Sequence, residues 1–207
     1  MRLFAIILSF ILIQNITYGG ELMSPIDTGF DIKAILPLLN KGELGFIENS
    51  KVRPKQVSLF SLIDAKPDKV WEVLTDYEHY PEIFPSVLEC KVAKVEGDTT
   101  FVDYKLDAVL YSLRYRLKHR HIPVRSIEIS VVSGDLKSGE YRYDLYPYED
   151  KTVLIYSIKA SATDTSFILK KIVKKQPTMD EAINISTAII TLNNIKDAVK
   201  KRAKDNK

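Results

Sequence analysis

The middle of the chain alternates apolar and polar residues with a period of two, which is typical of half-buried β-strands. In 101–108 the apolar or aromatic face carries Val102, Tyr104 and Leu106, and 111–120 alternates in the same way. Three further strands are predicted at 126–134, 139–146 and 152–160. Because glycine-containing turn signals separate several of these segments, the pattern predicts an antiparallel meander.

The C-terminal end has the spacing of a long amphipathic helix. Thr178 and Glu181 form a capping-box pattern after Pro177 and predict a helix start near Met179. An apolar stripe follows, at Ile185, Ala188, Ile189, Leu192, Ile195 and Val199. Such a stripe must be buried, and the concave face of the predicted sheet is the only apolar surface large enough to receive it.

The N-terminal half adds a strand and several short helices. Residues 55–65 are rich in β-formers and apolar on both faces, as expected of a strand covered on both sides. Pro67 suits the first position of a short helix that ends near Thr75, and a second short helical segment ends before Pro85. Upstream, 30–36 has the spacing of one helical face up to Pro37, and Asn40, Lys41 and Gly42 then follow as a stop. The elements predict an α+β fold.

The first residues resemble a leader. Arg2 precedes an eleven-residue segment, 3–13, that is apolar except for Ser9, and small residues near Gly19 offer a cleavage point. This segment is shorter than the roughly 20 residues of a spanning helix. We therefore expect a signal peptide at 1–19, a lead-in at 20–50 and the main domain at 51–207, in a protein exported to the periplasm.

Composition narrows the functional classes. The 207 residues are 45% hydrophobic and 28% charged, as in an ordinary water-soluble domain. The lone cysteine, Cys90, cannot form an internal disulfide and is interpreted as a buried thiol. No Ser-His-Asp order, glycine-rich phosphate loop or HExxH motif occurs, which removes most routine enzyme classes. We expect no catalytic residue, no cofactor, no metal site and no nucleic-acid partner.

The excess of basic residues lies near the C-terminus, where 166–175 forms a short amphipathic segment. One helical side would carry isoleucine, leucine and valine, and the other would carry lysines. The segment is expected either to contact anionic lipid transiently or to cover the cavity described below. The membrane-contact candidates are Ile168, Leu169, Lys170, Lys171, Ile172, Lys174 and Lys175.

The segment from Val57 to Asp98, VSLFSLIDAKPDKVWEVLTDYEHYPEIFPSVLECKVAKVEGD, resembles the N-terminal signature of the START-like (SRPBCC) superfamily, the polyketide cyclase and coenzyme-Q-binding START family. The resemblance lies in a strand, then Pro67, Trp71 and the Tyr-Pro pair at 80–81. It implies a helix-grip fold, in which a curved antiparallel sheet wraps around the C-terminal helix. The cavity between them takes sterols, quinones, phospholipids or polyketides in that family.

Six tyrosines fall on strand faces assigned to the interior: Tyr104, Tyr111, Tyr115, Tyr141, Tyr143 and Tyr156. Each buried hydroxyl needs a hydrogen-bond partner, which a cavity holding an amphipathic ligand would supply. The alternative is that these are ordinary strand tyrosines at the rim. The predicted cavity lining is Tyr104, Leu106, Leu113, Tyr115, Tyr141, Tyr143, Tyr156, Ile185, Ile189 and Leu192.

These patterns favour a carrier or sequestering protein for a lipid or other hydrophobic small molecule. One alternative is an aromatase or cyclase that uses His119 and Tyr115 in the same cavity for acid-base chemistry. Another is an envelope interaction module with a filled core. His119 and His121 share a strand face but lack a third metal ligand, so they are interpreted as rim histidines.

Overall fold

The computed structural model describes residues 22–27, 29–108, 111–164 and 167–205. The predicted signal peptide therefore lies outside the described residues. Eight antiparallel strands form one sheet in the order β1-β2-β8-β7-β6-β5-β4-β3. The strands are β1 Leu44–Ile47, β2 Val57–Ile63, β3 Val87–Glu96, β4 Thr99–Asp107, β5 Ser112–Ile122, β6 Ser126–Gly134, β7 Glu140–Tyr148 and β8 Lys151–Lys159.

In the described part of the chain, five α-helices accompany the sheet: α1 Ile32–Leu39, α2 Pro67–Leu74, α3 Tyr80–Ile83, α4 Phe167–Lys175 and α5 Met179–Asp205. Two 3₁₀ turns, Tyr77–His79 and Ala162–Asp164, precede α3 and α4. The predicted meander and the helix starts at Pro67 and Met179 are confirmed. The architecture is the α+β helix-grip fold, with the sheet curved around the long helix α5.

The concave face of the sheet packs directly on α5. Ala188, Leu192 and Ile195 are each 0% exposed and belong to one apolar cluster with Val102 of β4 and Leu154 of β8. Burying a large aliphatic side chain of this kind contributes about 1.5–3 kcal/mol. This contact fixes the position of α5 against β2 and β8, and it leaves the strands farther along the sheet to enclose a cavity.

The convex face carries a second apolar cluster, built by the lead-in. Helix α1 buries Ile32, Ile35 and Leu39 against Phe60 of β2 and Ile155 of β8. Strand β1 also pairs with β2 from 44 to 47. Strand β2 is apolar on both faces because both faces are covered. A domain boundary at residue 51 would therefore run through the sheet.

Helix α1 ends directly before the predicted stop at Asn40, Lys41 and Gly42, although Pro37 lies inside it. The helix continues through Pro37 to Leu39, and the Asn40 N–H still donates to the Leu36 carbonyl. A proline at this position removes one hydrogen bond, to the carbonyl of Lys33. Lys33 is exposed, so water can replace that bond, while the buried apolar side of α1 holds the helix in place.

Two predicted interior positions are wrong. Tyr111 is 44% exposed because β5 begins one residue later, at Ser112, which leaves Tyr111 in the turn. Ile189 is 39% exposed because it lies about 100° around α5 from Ala188, which faces the sheet. The buried stripe of α5 is thus narrower than its apolar residues suggested.

Candidate functional site

A cavity of about 330 Å³ lies between the concave face of the sheet, the short helix α3 and the N-terminal half of α5. Phenols and leucines of β4, β5, β7 and β8 line it on one side. Tyr80 and Phe84 approach from the α3 region, and Asn184, Thr187 and Thr191 approach from α5. The volume lies at the lower end of the range for small-molecule sites.

Seven of the ten predicted lining residues do line this cavity: Tyr104, Leu106, Leu113, Tyr115, Tyr141, Tyr143 and Tyr156. The other three, Ile185, Ile189 and Leu192, do not, and this part of the prediction is corrected. Leu192 is 0% exposed on the side of α5 that packs on the sheet, whereas Ile189 is turned partly toward solvent. The side of α5 that borders the cavity carries Ile183, Asn184, Thr187 and Thr191.

The cavity lining also includes a residue that sequence reasoning placed at the rim, His119. Its exposed fraction is 2%, and it lies on the same face of β5 as Leu113, Tyr115 and Leu117. The period-two alternation of β5 already predicted that His119 lies on the inward face with these residues, and only the interpretation of His119 and His121 as a rim pair is corrected for His119. The histidine two residues on, His121, is partly exposed and does not line the cavity.

The buried end of the cavity is built around His119. The Tyr104 hydroxyl lies 3.2 Å from His119 Nε2, and the Tyr104 and Tyr115 rings stack at a centroid distance of 5.5 Å. The Tyr77 ring packs over His119 at 4.8 Å. His119 Nδ1 is buried and has no hydrogen-bond partner. Burial lowers the pKa of His119 to about 3, so the imidazole is neutral at pH 7.

The buried phenols of the site are neutral as well. Tyr143 and Tyr156 stack at a centroid distance of 4.5 Å. Burial raises the pKa of Tyr104, Tyr115, Tyr143 and Tyr156 well above the ordinary value for a phenol. These tyrosines therefore keep their protons, and each can donate a hydrogen bond at any physiological pH.

Among the described residues, the cavity lining contains no aspartate, glutamate, lysine or arginine. A buried carboxylate in the first turn of α5, Asp180, accepts from the Ala162 N–H at 2.9 Å and from the Ser161 hydroxyl at 2.9 Å. No group of three histidine, cysteine, aspartate or glutamate side chains in the described part of the chain is arranged to hold a metal. The lining can exchange hydrogen bonds with a guest but cannot neutralise its charge.

The cavity reaches the surface near Ser86, Ser138 and Thr187, which line it and are exposed. Helix α4 lies at this end of the sheet, with Leu169 in the lining and Val173 buried. Ile172 is 38% exposed. The remaining membrane-contact candidates are the exposed Lys170, Lys171, Lys174 and Lys175, and Ile168, whose side chain is outside the described set.

No helix within the described ranges is long and apolar enough to cross a bilayer. Leu169 of α4 lines the cavity, while the lysines of α4 are exposed. The position of Leu169 agrees with the prediction that α4 covers the cavity. The contact of α4 with lipid stays a prediction.

Solved structures share this fold. The Zhui aromatase/cyclase from Streptomyces sp. R1128 has a TM-score of 0.60 at 18% identity, over 72% of this chain and 94% of that one. A START superfamily protein from Mycobacterium smegmatis has a TM-score of 0.59 at 15% identity, over 70% and 97%. A STAR-related lipid transfer protein from Xanthomonas axonopodis has a TM-score of 0.59 at 13% identity, over 77% and 94%. Identities this low establish the fold alone.

No curated protein sequence matches the chain. A sequence profile of the family described as polyketide cyclase / dehydrase and lipid transport matches residues 63–181, more than half of the chain. The matched segment starts at the last residue of β2 and ends in the first turn of α5, so it includes the strands that line the cavity. The chain therefore belongs to the polyketide cyclase/dehydrase and lipid-transport family of START-like proteins.

Proposed function

We propose that this protein binds a hydrophobic or amphipathic small molecule in the cavity and carries or sequesters it. The observation that carries the proposal is the unfilled space of about 330 Å³ lined by leucines and protonated phenols. Apolar walls with a few convergent polar groups are the usual features of a small-molecule site. The lipid transfer protein among the structural neighbours agrees with a carrier role.

We also propose that the protein works in the cell envelope. The leader-like segment 1–19 supports this location. Cys90 is 6% exposed, and burial raises the pKa of its thiol to about 12. A buried, protonated thiol is unreactive, so Cys90 is protected from oxidation in an oxidising compartment.

Helix α4 is proposed to bring the mouth of the cavity to an anionic lipid surface. Lys170, Lys174 and Lys175 are exposed on α4, whose Val173 is buried. Each lysine near an anionic surface contributes about 1 kcal/mol of attraction. Because Leu169 on the same helix lines the cavity, movement of α4 at the membrane would open a path for the guest.

An aromatase or cyclase activity is the second candidate, and the cluster of His119, Tyr104 and Tyr115 favours it. The solved Zhui aromatase/cyclase shares the fold. Acid-base catalysis works best when the pKa of the catalytic group is near the operating pH. A His119 with a pKa of about 3 and phenols with raised pKa values are far from that condition, which is why we rank binding first.

Binding is tested with the neutral fluorescent probe N-phenyl-1-naphthylamine, whose emission rises in an apolar site. The wild-type protein should bind one probe per chain. Thr187→Trp places an indole at the mouth of the cavity and should abolish binding. Ser186→Trp is the matched control, because Ser186 is exposed on the same turn of α5 but does not line the cavity. Equal binding by the two variants, or no binding by the wild type, would reject the proposal.

A further inference from the structure

We propose that the segment 43–53, which we call the strap, controls how fast a guest enters and leaves the cavity, and that Arg53 is its latch. This inference rests on the proposed binding function and concerns the regulation of the same cavity. The strap includes β1 and lies upstream of the family match, which begins at residue 63. The latch is thus a feature of this chain outside the segment that matches the family.

Helix α4 is tied to α5 at both of its ends. Before α4, the Ala162 N–H donates to the Asp180 carboxylate at 2.9 Å. The Asn184 side-chain amide donates to the Ala160 carbonyl, also at 2.9 Å. After α4, the short joint 176–178 leads directly into the first turn of α5. Because both ends of α4 meet the first two turns of α5, α4 can rotate about them as one unit and uncover the cavity.

Packing alone holds α4 weakly over the cavity. Of the α4 side chains that are described, at 169–175, only Val173 is buried, and Leu169 is the one that lines the cavity. A segment with few buried apolar contacts opens at a low cost in free energy. The bonds at the ends of α4 should therefore govern how often it leaves the mouth of the cavity.

Arg53 bonds the joint to α5. Its Nη1 donates to the Pro177 carbonyl at 2.6 Å and to Glu181 Oε1 at 2.7 Å. Pro177 lies in the joint, whereas Glu181 lies in the first turn of α5, so one guanidinium nitrogen spans the two. A rotation of α4 that moves the joint away from Glu181 must break at least one of these bonds.

The ion pair of Arg53 with Glu181 is partly withdrawn from water. Glu181 is 5% exposed, and its second oxygen, Oε2, has no partner. Among the described residues, no other cation pairs with Glu181. Hydrogen bonds between charged groups are stronger than neutral ones, and a partly buried pair is screened little by salt. Breaking this pair at each opening should therefore make opening rare.

A second ion pair fixes the other end of the strap. The Lys196 ammonium of α5 donates to Glu43 Oε1 at 2.6 Å. Glu181 and Lys196 lie about 22 Å apart along α5 at 1.5 Å per residue. Between the two pairs, β1 is hydrogen-bonded to β2. The strap is thus anchored to the sheet and to α5, and the pair at Lys196 is remote from the joint.

Stopped-flow exchange of N-phenyl-1-naphthylamine tests the latch. Loaded protein is mixed with excess β-cyclodextrin, which takes up released probe, and the fall in emission gives the exit rate. Arg53→Met keeps an apolar stem and removes the guanidinium. Its exit rate should rise about tenfold, the effect of losing one hydrogen bond to a charged group. Because the guest passes the same opening in both directions, the entry rate should rise equally, and the Kd should stay within about twofold of the wild-type value.

Lys196→Met is the matched control, because it removes an ion pair between the same strap and the same helix away from the joint. Its exchange rates should equal those of the wild type. Arg53→Met leaves the buried Glu181 without a counter-ion. Should that variant fail to fold in a thermal melt, the double change Arg53→Met and Glu181→Met removes both charges and should give the same acceleration.

Three results would overturn the inference. They are wild-type exchange rates in the folded Arg53 variant, an equal acceleration in Lys196→Met, and a weaker Kd with an unchanged entry rate. In each case the wild type still binds the probe, so the proposed binding function stands. A wild-type protein that takes up no probe would instead reject the binding function itself.

Discussion

Acid should destabilise this protein through His119. The folded state holds this imidazole with a pKa of about 3, whereas the unfolded chain exposes it with an ordinary pKa of about 6.5. Below pH 6.5 the imidazole of His119 takes up a proton in the unfolded chain but stays neutral in the folded one. Stability is therefore complete above pH 6.5 and is lost as the pH falls toward 3. Between pH 7.5 and pH 5 the loss from this one group is about 2 kcal/mol.

Urea unfolding at pH 7.5 and pH 5 measures the effect. The free energy of unfolding of the wild type should fall by about 2 kcal/mol more than that of His119→Phe over this interval. Other titrating groups, such as Asp76 and Asp144, are common to both proteins and cancel in the difference. His121→Phe should remove a smaller part of the acid loss, because burial lowers the pKa of the partly exposed His121 less strongly.

The result that would refute this reasoning is an equal loss of unfolding free energy in the wild type and in His119→Phe. Such a result would mean that His119 takes up a proton as readily in the folded protein as in the unfolded chain. The imidazole would then be hydrated or paired with an acid, and the interior beside Tyr104 could not be the dry, neutral site described above.

Three further predictions concern the convex cluster, the buried hydrogen bond of Asp180 and helix α4. Phe60→Ala, in the convex cluster formed by the lead-in, should lower the unfolding free energy by about 3–5 kcal/mol in urea titrations; a loss below about 1 kcal/mol would show that this cluster is not a core. Asp180→Ala should cost about 1–3 kcal/mol, because the Ala162 N–H loses its buried acceptor, and unchanged stability would argue against that bond. The double change Lys170→Glu and Lys174→Glu should abolish co-sedimentation with phosphatidylglycerol vesicles while naphthylamine binding persists; unaltered co-sedimentation would remove α4 from the membrane contact.

Most of the fold could be predicted from local pattern. Strands β4 and β5 each face the core on one side only. Their alternation of apolar and polar residues therefore indicated both the strands and the side chains that point inward. The cap residues before Met179 and the proline at 67 marked helix starts, because these positions depend on neighbouring residues alone. The tyrosines at 104, 115 and 143 were placed inward by the same alternation.

The remaining features depend on packing between distant segments, which local pattern does not contain. The lead-in was predicted as a separate segment, yet α1 forms a core with β2 and β8 on the convex face. On α5 the apolar residues suggested the cavity side, but the cavity borders Thr187 and Thr191 because the aliphatic stripe packs on the sheet. The alternation of β5 placed His119 inward, but its contact with the Tyr77 ring, at a centroid distance of 4.8 Å, joins segments that are distant in sequence.

Native mass spectrometry tests most directly whether the space between the sheet and α5 holds a guest. Wild-type protein purified without detergent should include chains heavier by one small molecule, and this added mass should disappear on denaturation. Ser186→Trp should retain the added mass and Thr187→Trp should lack it. The opposite outcome is the bare chain mass in all three proteins, before and after incubation with N-phenyl-1-naphthylamine, and it would contradict a ligand-binding interior.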